Sequence, residues 1–266
     1  MERRKAGGIQ GQENLRQGNS DRAGAKQQGI TMDIGGFQRV SLIDYPGKVA
    51  SVVFTIGCNF RCWFCQNADL VFKNYDKLAR YTQNEIMQKI EEAKSVIDGV
   101  AITGGEPTVQ KDLPEFAKGV KDLGLLVKLD TNGTNPNMLE SMISSGLADY
   151  VAMDVKAPFE KYYEAIGIGE QALLENVKKS IAILLNSNID YEFRTTALPN
   201  FTADDFVEIA KQVKGAKLYS LQQFDNKNIL DSSKSGMQPL KIEELNGIKK
   251  KIEEAGIVKK CVIKNI

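Results

Sequence analysis

Three of the four cysteines of this 266-residue chain lie close together, at Cys58, Cys62 and Cys65. Three thiols at this spacing favour metal binding, because an odd number cannot pair completely in disulfides. Soft thiolate ligands select zinc or an iron–sulfur cluster. Zinc held by three cysteines would need a fourth ligand, and the chain contains no histidine to supply it. The favoured prediction is a [4Fe-4S] cluster bound at three irons, which leaves the fourth iron open to a small molecule.

The absence of histidine excludes several other kinds of chemistry. No Ser-His-Asp or Cys-His nucleophile pair, no His-ligated metal and no imidazole acid or base can form. Catalysis must therefore use thiolates, carboxylates, lysine, arginine, the backbone or a bound cofactor. The fourth cysteine, Cys261, lies far along the chain on a predicted strand, and we expect it to be an ordinary buried thiol.

The overall charge is nearly balanced. Lys and Arg number 35 and Asp and Glu number 34, which gives a formal net charge of +1. This balance gives no electrostatic reason to expect binding to nucleic acid or to an anionic membrane. No apolar run approaches the ~20 residues of a membrane span, and the first residues lack the apolar core of a secretory signal. We therefore expect a cytoplasmic location.

The elements that must position the cysteines alternate between short apolar runs and longer amphipathic segments. Strands are predicted over residues 50–56, 99–103, 125–131, 150–155, 190–195 and 217–222. Helices are predicted over residues 82–96, 112–123, 137–145, 170–185, 203–213 and 242–255, and a short last strand over residues 258–263. This alternation predicts an α/β protein with parallel strands and right-handed crossovers. Six such units fit a partial (β/α)6, TIM-like barrel in a single domain.

Residues 1–31 differ in composition from the rest of the chain. They are polar, rich in Gly, Gln, Arg and Lys, and show no helical or strand periodicity. Such a segment cannot bury enough apolar surface to order itself, so we predict a disordered N-terminal extension. A basic tail that helps to bind something is the alternative. The rest of the chain, residues 32–266, is predicted to form a single domain.

Unusual polar residues and glycines follow the ends of the predicted strands. In chain order, they are Thr103, Gly104, Gly105, Glu106, Asp130, Asn132, Asp154, Lys156, Arg194 and Gln222. Because the carboxyl ends of parallel strands meet at one rim of an α/β barrel, we expect these residues to surround the cysteines. Simpler alternatives stay open: the two glycines could form a turn, Asp130 and Asn132 an Asx-turn, and Lys156 could lie on the surface.

The cysteine spacing C-x3-C-x2-C, with Phe64 before the third cysteine, resembles the signature of the radical S-adenosylmethionine (SAM) superfamily. Residues 102–107 (ITGGEP) resemble its GGEP segment. Residues 130–133 (DTNG) and 153–156 (MDVK) resemble segments of the glycyl-radical-enzyme activases. Residues 36–47 (GFQRVSLIDYPG) are similar to the branch described as activating proteins of anaerobic ribonucleoside-triphosphate reductase. The resemblance covers residues 33–225.

This resemblance implies a [4Fe-4S] cluster and S-adenosyl-L-methionine as cofactors. Flavodoxin or ferredoxin would reduce the cluster, and cleavage of SAM would yield a 5′-deoxyadenosyl radical that abstracts hydrogen from a glycine of a partner enzyme. The implied catalytic residues are Cys58, Cys62, Cys65 and Lys156. The implied SAM-binding residues are Phe64, Thr103, Gly104, Gly105, Glu106, Asp130, Asn132, Asp154, Lys156 and Arg194. Among them, Glu106 and the two glycines would orient the ammonium group, and Asp154, Lys156 and Arg194 the carboxylate and ribose.

The chain departs from the family pattern at Gln66, where many activases have histidine. It also lacks the additional cysteine set that would bind an auxiliary cluster. Three alternatives to the proposed activation of anaerobic ribonucleotide reductase stay open. The same chemistry could serve pyruvate formate-lyase or a small molecule such as a deazapurine precursor, the cluster could belong to a non-catalytic sensor or electron carrier, or the cysteines could hold zinc in a binding module.

Overall fold

An eight-stranded sheet runs through residues 32–265, the part of the chain that this computed structural model describes. The strands are β1 (Ile34–Ser41), β2 (Ala50–Thr55), β3 (Gly99–Gly104), β4 (Leu126–Thr131), β5 (Tyr150–Asp154), β6 (Asp190–Ala197), β7 (Tyr219–Gln223) and β8 (Cys261–Lys264). Strands β2 to β8 are parallel and lie side by side in chain order. The predicted fold class is therefore confirmed, and the predicted extension over residues 1–31 lies outside the described residues.

The connections between the parallel strands carry the predicted helices. In chain order the helices are α1 (Ala68–Val71), α2 (Gln83–Ala93), α3 (Leu113–Asp122), α4 (Pro136–Ser144), α5 (Tyr162–Ile166), α6 (Gln171–Leu185), α7 (Ala203–Gln212) and α8 (Ile242–Glu254). Thr82 and Thr202 begin α2 and α7, each in a capping box in which the threonine hydroxyl accepts a backbone N–H of the first turn. The short helices α1 and α5 have too few residues to show a periodic sequence pattern, and the sequence did not predict them.

Strand β1 was also not predicted. It pairs antiparallel with β2, and its residues Gln38, Arg39 and Val40 are exposed. An exposed edge strand lacks the continuous apolar run by which buried parallel strands are recognised. Gly35 interrupts the pattern further, and a Cβ atom at this position would lie 2.6 Å from a side-chain methyl of Leu70.

The two faces of the parallel strands bury different residues. Val53, Val100 and Ile102 belong to the main apolar core, which also includes the helices. The opposite, inward face carries small residues near the amino ends of the strands, where Tyr45 and Tyr150 pack with ring centroids 5.9 Å apart.

Inward-facing polar groups lie between these tyrosines and the carboxyl ends of the strands. The Glu192 carboxylate accepts hydrogen bonds from Ser220 Oγ at 2.5 Å and from Lys264 Nζ at 2.6 Å. We call Tyr150, Glu192, Ser220 and Lys264 the lower layer. Within residues 32–265, the Tyr150 hydroxyl is the one buried side-chain oxygen or nitrogen atom without a hydrogen-bond partner.

None of the helices in the described residues combines the length and apolar character needed to cross a membrane.

Candidate active site at the carboxyl ends of the strands

A cavity of about 290 Å³ opens at the carboxyl ends of the parallel strands. All residues predicted for the site line it: Cys58, Cys62, Phe64, Cys65, Thr103, Gly104, Gly105, Glu106, Asp130, Asn132, Asp154, Lys156 and Arg194. The expectation that the strand ends bring these residues together therefore agrees with the structure. Their individual roles toward a cofactor stay predictions.

The loop between β2 and α1, residues 56–67, carries the three cysteines, and we call it the cysteine loop. Hydrogen bonds of Arg61 hold it in place. The Arg61 guanidinium donates to the carbonyl oxygens of Cys58 and Phe60, both at 2.7 Å. Its backbone N–H donates to the carbonyl of Ile166 at 2.8 Å, at the end of α5. Gly167 follows in the left-handed region with φ +67°, and a Cβ atom there would lie 2.5 Å from the Arg61 carbonyl oxygen. Glycine at this position therefore permits the close approach of α5 to the cysteine loop.

Hydrogen-bond donors lie near the sulfur atoms of Cys58 and Cys65. The backbone N–H of Phe60 points to Cys58 Sγ at 3.4 Å, and that of Asn67 points to Cys65 Sγ at 3.4 Å. Asn132 Nδ2 lies 3.9 Å from Cys58 Sγ. Hydrogen bonds to ligand sulfurs are among the features that set the reduction potential of an iron–sulfur cluster.

The thiols themselves lie in a low-dielectric environment. Burial, followed by the nearby Glu106 charge, raises the pKa of Cys58 to about 11. Burial also raises the pKa of Cys62 to about 12, although Lys156 opposes the shift. Because metals bind thiolates, binding of iron to these two side chains must release their protons.

The donor set fits a cluster bound at three positions. In the described residues, no three Cys, Asp or Glu side chains are grouped closely enough to hold one metal ion. A cubane cluster requires a wider arrangement, because each thiolate binds a different iron atom. Cys261 does not complete the set, because it is 1% exposed on β8 and lies outside the cavity lining.

Gly104, the last residue of β3, and Gly105, which follows it, form a glycine pair that packs against the end of β2 and the start of the cysteine loop. Gly104 has φ +107°, and a Cβ atom on it would lie 2.4 Å from the backbone nitrogen of Thr55. A Cβ atom on Gly105 would lie 2.1 Å from the carbonyl oxygen of Gly57. Two backbone hydrogen bonds of 2.8 Å, from Gly105 to Thr55 and from Glu106 to Gly57, join the same segments. Glycine at both positions therefore permits the end of β3 to pack against the end of β2 and the cysteine loop. This packing explains the glycine pair without a tight turn or the approach of a ligand.

Glu106 is 1% exposed, and protein donors occupy its carboxylate. Oε1 accepts hydrogen bonds from the backbone and hydroxyl of Thr108 and from the Thr131 hydroxyl, and Oε2 accepts the Asn132 N–H at 2.6 Å. Burial raises the pKa of Glu106, and these hydrogen bonds only partly oppose it. The side chain thus fastens the loop after β4 to the turn after β3.

Asn132 has two functions in this loop. Its Oδ1 accepts the N–H of Thr134 at 3.0 Å, which is the predicted Asx-turn. Its Nδ2 donates to Asn59 Oδ1 at 2.9 Å and approaches the Cys58 sulfur. The turn and the contact with the cysteine loop therefore occur together.

Asp130, Asp154, Lys156 and Arg194 form one ionic network on the cavity wall, which we call the upper layer. Arg194 bridges the two carboxylates, with Nε 2.9 Å from Asp154 Oδ1 and Nη1 3.0 Å from Asp130 Oδ2. Lys156 Nζ lies 2.9 Å from Asp154 Oδ2, and Lys128 pairs with Asp130. Lys156 is 16% exposed, so it is not a surface lysine.

At Asp130 and Asp154, the ion pairs lower the carboxylate pKa by more than burial raises it. Burial alone would raise the pKa of Asp154, but Arg194 and Lys156 lower it to about 2. Arg194 and Lys128 likewise lower the pKa of Asp130 against the effect of burial. Both carboxylates are therefore ionised at neutral pH. With Lys128 included, three basic side chains face two acidic ones.

A segment after β7, residues 224–240, lies over the cysteine loop, and we call it the strap. The backbone N–H groups of Leu230 and Asp231 donate to the carbonyls of Cys65 at 2.8 Å and Trp63 at 3.0 Å. Lys234 Nζ lies 4.8 Å from the Trp63 ring centroid. Gln66, at the position where many activases have histidine, has its amide nitrogen 3.5 Å from two strap carbonyls. The sequence shows no periodicity here, so the strap was not anticipated.

Five further polar residues line the cavity on the side of β6, β7 and β8: Thr196, Gln222, Gln223, Asp225 and Asn265. Of these, only Gln222 was placed on the rim by its position at a strand end, and none was assigned to the site. Their polarity at strand ends was the signal that could have found them.

Comparisons with known proteins agree with this geometry. The family model described as the Radical SAM superfamily matches residues 52–213. A protein of Methanocaldococcus jannaschii, provisionally named a glycyl-radical enzyme activating enzyme, is 36% identical over 237 residues, which cover 88% of this chain and 94% of that one. A pyruvate formate-lyase-activating enzyme of Clostridium pasteurianum is 30% identical over 48% of this chain and 54% of its own length.

The fold also matches a solved structure of the Streptococcus suis protein SuiB bound to its precursor peptide SuiA. The TM-score is 0.59 with 12% identity, and the match covers 80% of this chain and 48% of that one. At this identity the likeness concerns the fold alone.

Proposed function

The chain belongs to the radical SAM superfamily, and from this premise we propose that it activates a glycyl radical enzyme, with anaerobic ribonucleoside-triphosphate reductase as the partner. As a member of this superfamily the protein is an enzyme that uses a [4Fe-4S] cluster and S-adenosyl-L-methionine. The observation that carries the activase proposal is the M. jannaschii relative, which matches nearly the whole chain. The choice of reductase over pyruvate formate-lyase rests on residues 36–47.

The proposed roles follow from the side chains that meet at the cavity. Cys58, Cys62 and Cys65 would hold the cluster, and the donors near the Cys58 and Cys65 sulfurs would stabilise it. When bound, the cluster and SAM supply a 5′-deoxyadenosyl radical through reductive cleavage of the sulfonium. The chain contributes the orientation of the cofactor and the exclusion of water.

The upper layer would bind the charged end of SAM. Together with Lys128, this layer places three basic side chains against two acidic ones. The additional basic group suits the SAM carboxylate, since charge-assisted hydrogen bonds to a carboxylate are the stronger kind. Lys156 reaches from the upper layer to the cysteine loop, with Nζ 5.7 Å from the Phe64 ring centroid. We propose that Lys156 binds the SAM carboxylate and that Arg194 holds Asp130 and Asp154 in position. Thr103 and the glycine pair would face the methionyl part of SAM, and Glu106 would act through the loop that it fastens.

The remaining parts of the proposal concern context. Residues 32–266 would form the catalytic domain, and flavodoxin or ferredoxin would deliver the electron. An enzyme that depends on such carriers and on unpaired cysteine thiols fits a cytoplasmic location.

Anaerobic reconstitution tests the proposal. The reconstituted protein, reduced and given SAM, should form 5′-deoxyadenosine, and an EPR signal of a glycyl radical should appear when the anaerobic reductase from the same genome is added. Pyruvate formate-lyase serves as the competing partner. Formation of 5′-deoxyadenosine without a glycyl radical on either enzyme would contradict the activase proposal, and a radical on pyruvate formate-lyase alone would contradict the choice of partner.

A further inference from the structure

The side chains of Asn59, Asn132 and Thr134 form a closed ring of hydrogen bonds beside the Cys58 sulfur, which we call the amide ring. Asn132 Nδ2 donates to Asn59 Oδ1 at 2.9 Å, and Asn59 Nδ2 donates to Thr134 Oγ1 at 2.7 Å. The Thr134 hydroxyl closes the ring by donating to Asn132 Oδ1 at 2.6 Å. Neither Asn59 nor Thr134 is among the residues that line the cavity, so the ring reaches the cavity through Asn132.

A backbone group fixes the direction in which the Asn132 amide points. The Thr134 N–H donates to Asn132 Oδ1 at 3.0 Å, and a backbone N–H can only donate. The amide oxygen of Asn132 must therefore face Thr134, which leaves its NH2 group facing Asn59 and Cys58. The reversed amide would place its NH2 group against the Thr134 N–H, donor against donor, and its oxygen near the Cys58 sulfur.

The ring leaves one hydrogen of Asn132 for the sulfur. Of the two Nδ2 hydrogens, one is donated to Asn59 Oδ1. The other can point to Cys58 Sγ, which lies 3.9 Å from Nδ2, the length of a weak hydrogen bond to sulfur. Asn132 is 5% exposed, so little water can compete for this hydrogen.

Helix α6 anchors the loop that carries the ring. Asn176 Nδ2 donates to the Thr134 carbonyl at 3.0 Å, and Ser180 Oγ donates to the Gly133 carbonyl at 2.7 Å. Thr134 is 5% exposed and Ser180 is fully buried. The amide of Asn132 is therefore held in place by protein contacts alone, before any cofactor binds.

Resting on the proposed function for the cluster that it requires, we propose that Asn59 and Thr134 are positioning residues. They hold the Asn132 NH2 group toward the Cys58 sulfur and thereby raise the reduction potential of the bound cluster. Reduction adds negative charge that the ligand sulfurs share, so an N–H donor stabilises the reduced form more than the oxidised form. A higher potential makes it easier for the electron carrier to reduce the cluster.

Substitutions in the ring test this role in the reconstituted holoenzyme, without a partner enzyme. Thr134→Val keeps the shape of the side chain and removes the hydroxyl, whereas Thr134→Ser keeps the hydroxyl. Asn59→Leu breaks the ring at its half-buried member and leaves Thr134 intact. The matched control is Thr195→Val, since Thr195 is 1% exposed, donates to the Val155 carbonyl at 2.8 Å and lies outside the cavity lining.

The measurement is the reduction potential of the cluster, from a redox titration followed by EPR, together with the iron content. Thr134→Val and Asn59→Leu should each lower the equilibrium constant for one-electron reduction by up to about tenfold, which corresponds to about 59 mV. Thr134→Ser and Thr195→Val should keep the wild-type potential, and all four variants should bind iron.

A variant of Asn132 tests the route of the effect. Asn132→Asp keeps the oxygen that accepts from Thr134 and replaces the NH2 group by a carboxylate oxygen, so it should give the largest fall in potential. Adding Thr134→Val to Asn132→Asp should cause no further fall, because Thr134 acts through the donor that is already absent.

Three results would overturn the inference: a wild-type potential in both Thr134→Val and Asn59→Leu, an equal fall in Thr195→Val, or additive falls in the double variant. If the ring variants shift the potential but no glycyl radical forms on either partner, the activase proposal fails and this inference stands. If the wild type forms the radical and the ring variants keep its potential, only this inference fails.

Discussion

The inward face of the sheet carries two layers of buried charge that differ in what they meet. The upper layer lines the cavity, and its members are 13% to 20% exposed. The lower layer does not reach the cavity, and the Glu192 side chain in it is 2% exposed. In both layers each carboxylate is paired, because an uncompensated buried charge is strongly destabilising. Ion pairing alone therefore does not mark a functional site; contact with the cavity does.

The largest expected effect is the loss of SAM cleavage when a cavity cysteine is substituted, compared with no loss for Cys261 on β8. Cys58→Ala, Cys62→Ala or Cys65→Ala should each remove a cluster ligand and abolish SAM cleavage. Cys261→Ala should retain iron content and 5′-deoxyadenosine formation, since this thiol is buried outside the cavity. Iron analysis and product assay after anaerobic reconstitution make the comparison. Full activity in any of the first three variants would contradict the assignment.

In the upper layer, Arg194→Met should weaken SAM binding and lower the free energy of unfolding by about 3 kcal/mol at pH 7, because two carboxylates lose a shared partner. Arg194→Lys is the matched control: it keeps the charge but not the two-sided contact, and should fall between the wild type and Arg194→Met. Urea unfolding and equilibrium SAM binding provide the measurements. A variant with wild-type stability would show that the bridge contributes nothing.

The same substitution predicts a pH dependence. In the wild type, the pKa of Asp154 is lowered to about 2, so its stabilisation is present above about pH 4 and is lost as the pH falls toward 2. Without Arg194, burial raises the pKa relative to the wild type. The stability difference between wild type and Arg194→Met should therefore be largest near neutral pH and shrink between pH 5 and pH 3. A difference that is constant with pH would exclude this electrostatic origin.

Glu106 shares a property with each layer: it lines the cavity like the upper layer, but it is as deeply buried as Glu192 of the lower layer, with 1% exposure. Glu106→Gln places an amide group where two acceptor oxygens are needed, so one backbone donor of the loop loses its partner. We expect a loss of about 2 kcal/mol in the free energy of unfolding. SAM affinity should fall only modestly. Unchanged stability with a tenfold or greater loss of SAM affinity would instead make Glu106 a direct ligand of the ammonium group.

In the lower layer, Lys264→Met should destabilise the protein by about 2 kcal/mol through loss of the charged hydrogen bond to Glu192. SAM affinity should not change, because neither residue lines the cavity. Lys259→Met, at an exposed lysine just before β8, is the control and should leave both quantities unchanged. Altered SAM affinity in Lys264→Met would remove the distinction between the layers.

The smallest expected effect is a slight gain in the free energy of unfolding. Tyr150→Phe removes a buried hydroxyl that has no partner among the described residues. The variant should be as stable as the wild type or up to about 1 kcal/mol more stable, with unchanged SAM cleavage. Thermal unfolding provides the measurement. Clear destabilisation would show that the hydroxyl is satisfied in solution.

The sequence predicted the parts of the fold and site that depend on local patterns. Buried parallel strands show as apolar runs, and their shared rim brings residues such as Asp130 and Asp154 to one place. The bridge by Arg194 could not be predicted, because it joins residues 40 and 64 positions apart through side-chain geometry. Strand β1 was missed because it is an exposed edge. The packing role of Gly105 depends on the Gly57 carbonyl on another segment, which no spacing reveals.

The cysteine loop is attached on two sides by backbone hydrogen bonds, to α5 through Arg61 and to the strap through Cys65. Both attachments consist of polypeptide alone and do not depend on iron. Iron removal should therefore leave the loop in place, unlike a zinc finger, which unfolds when its metal is removed. An enzyme damaged by oxygen could then be repaired by supplying iron, sulfide and a reductant, without a chaperone or new synthesis of the chain.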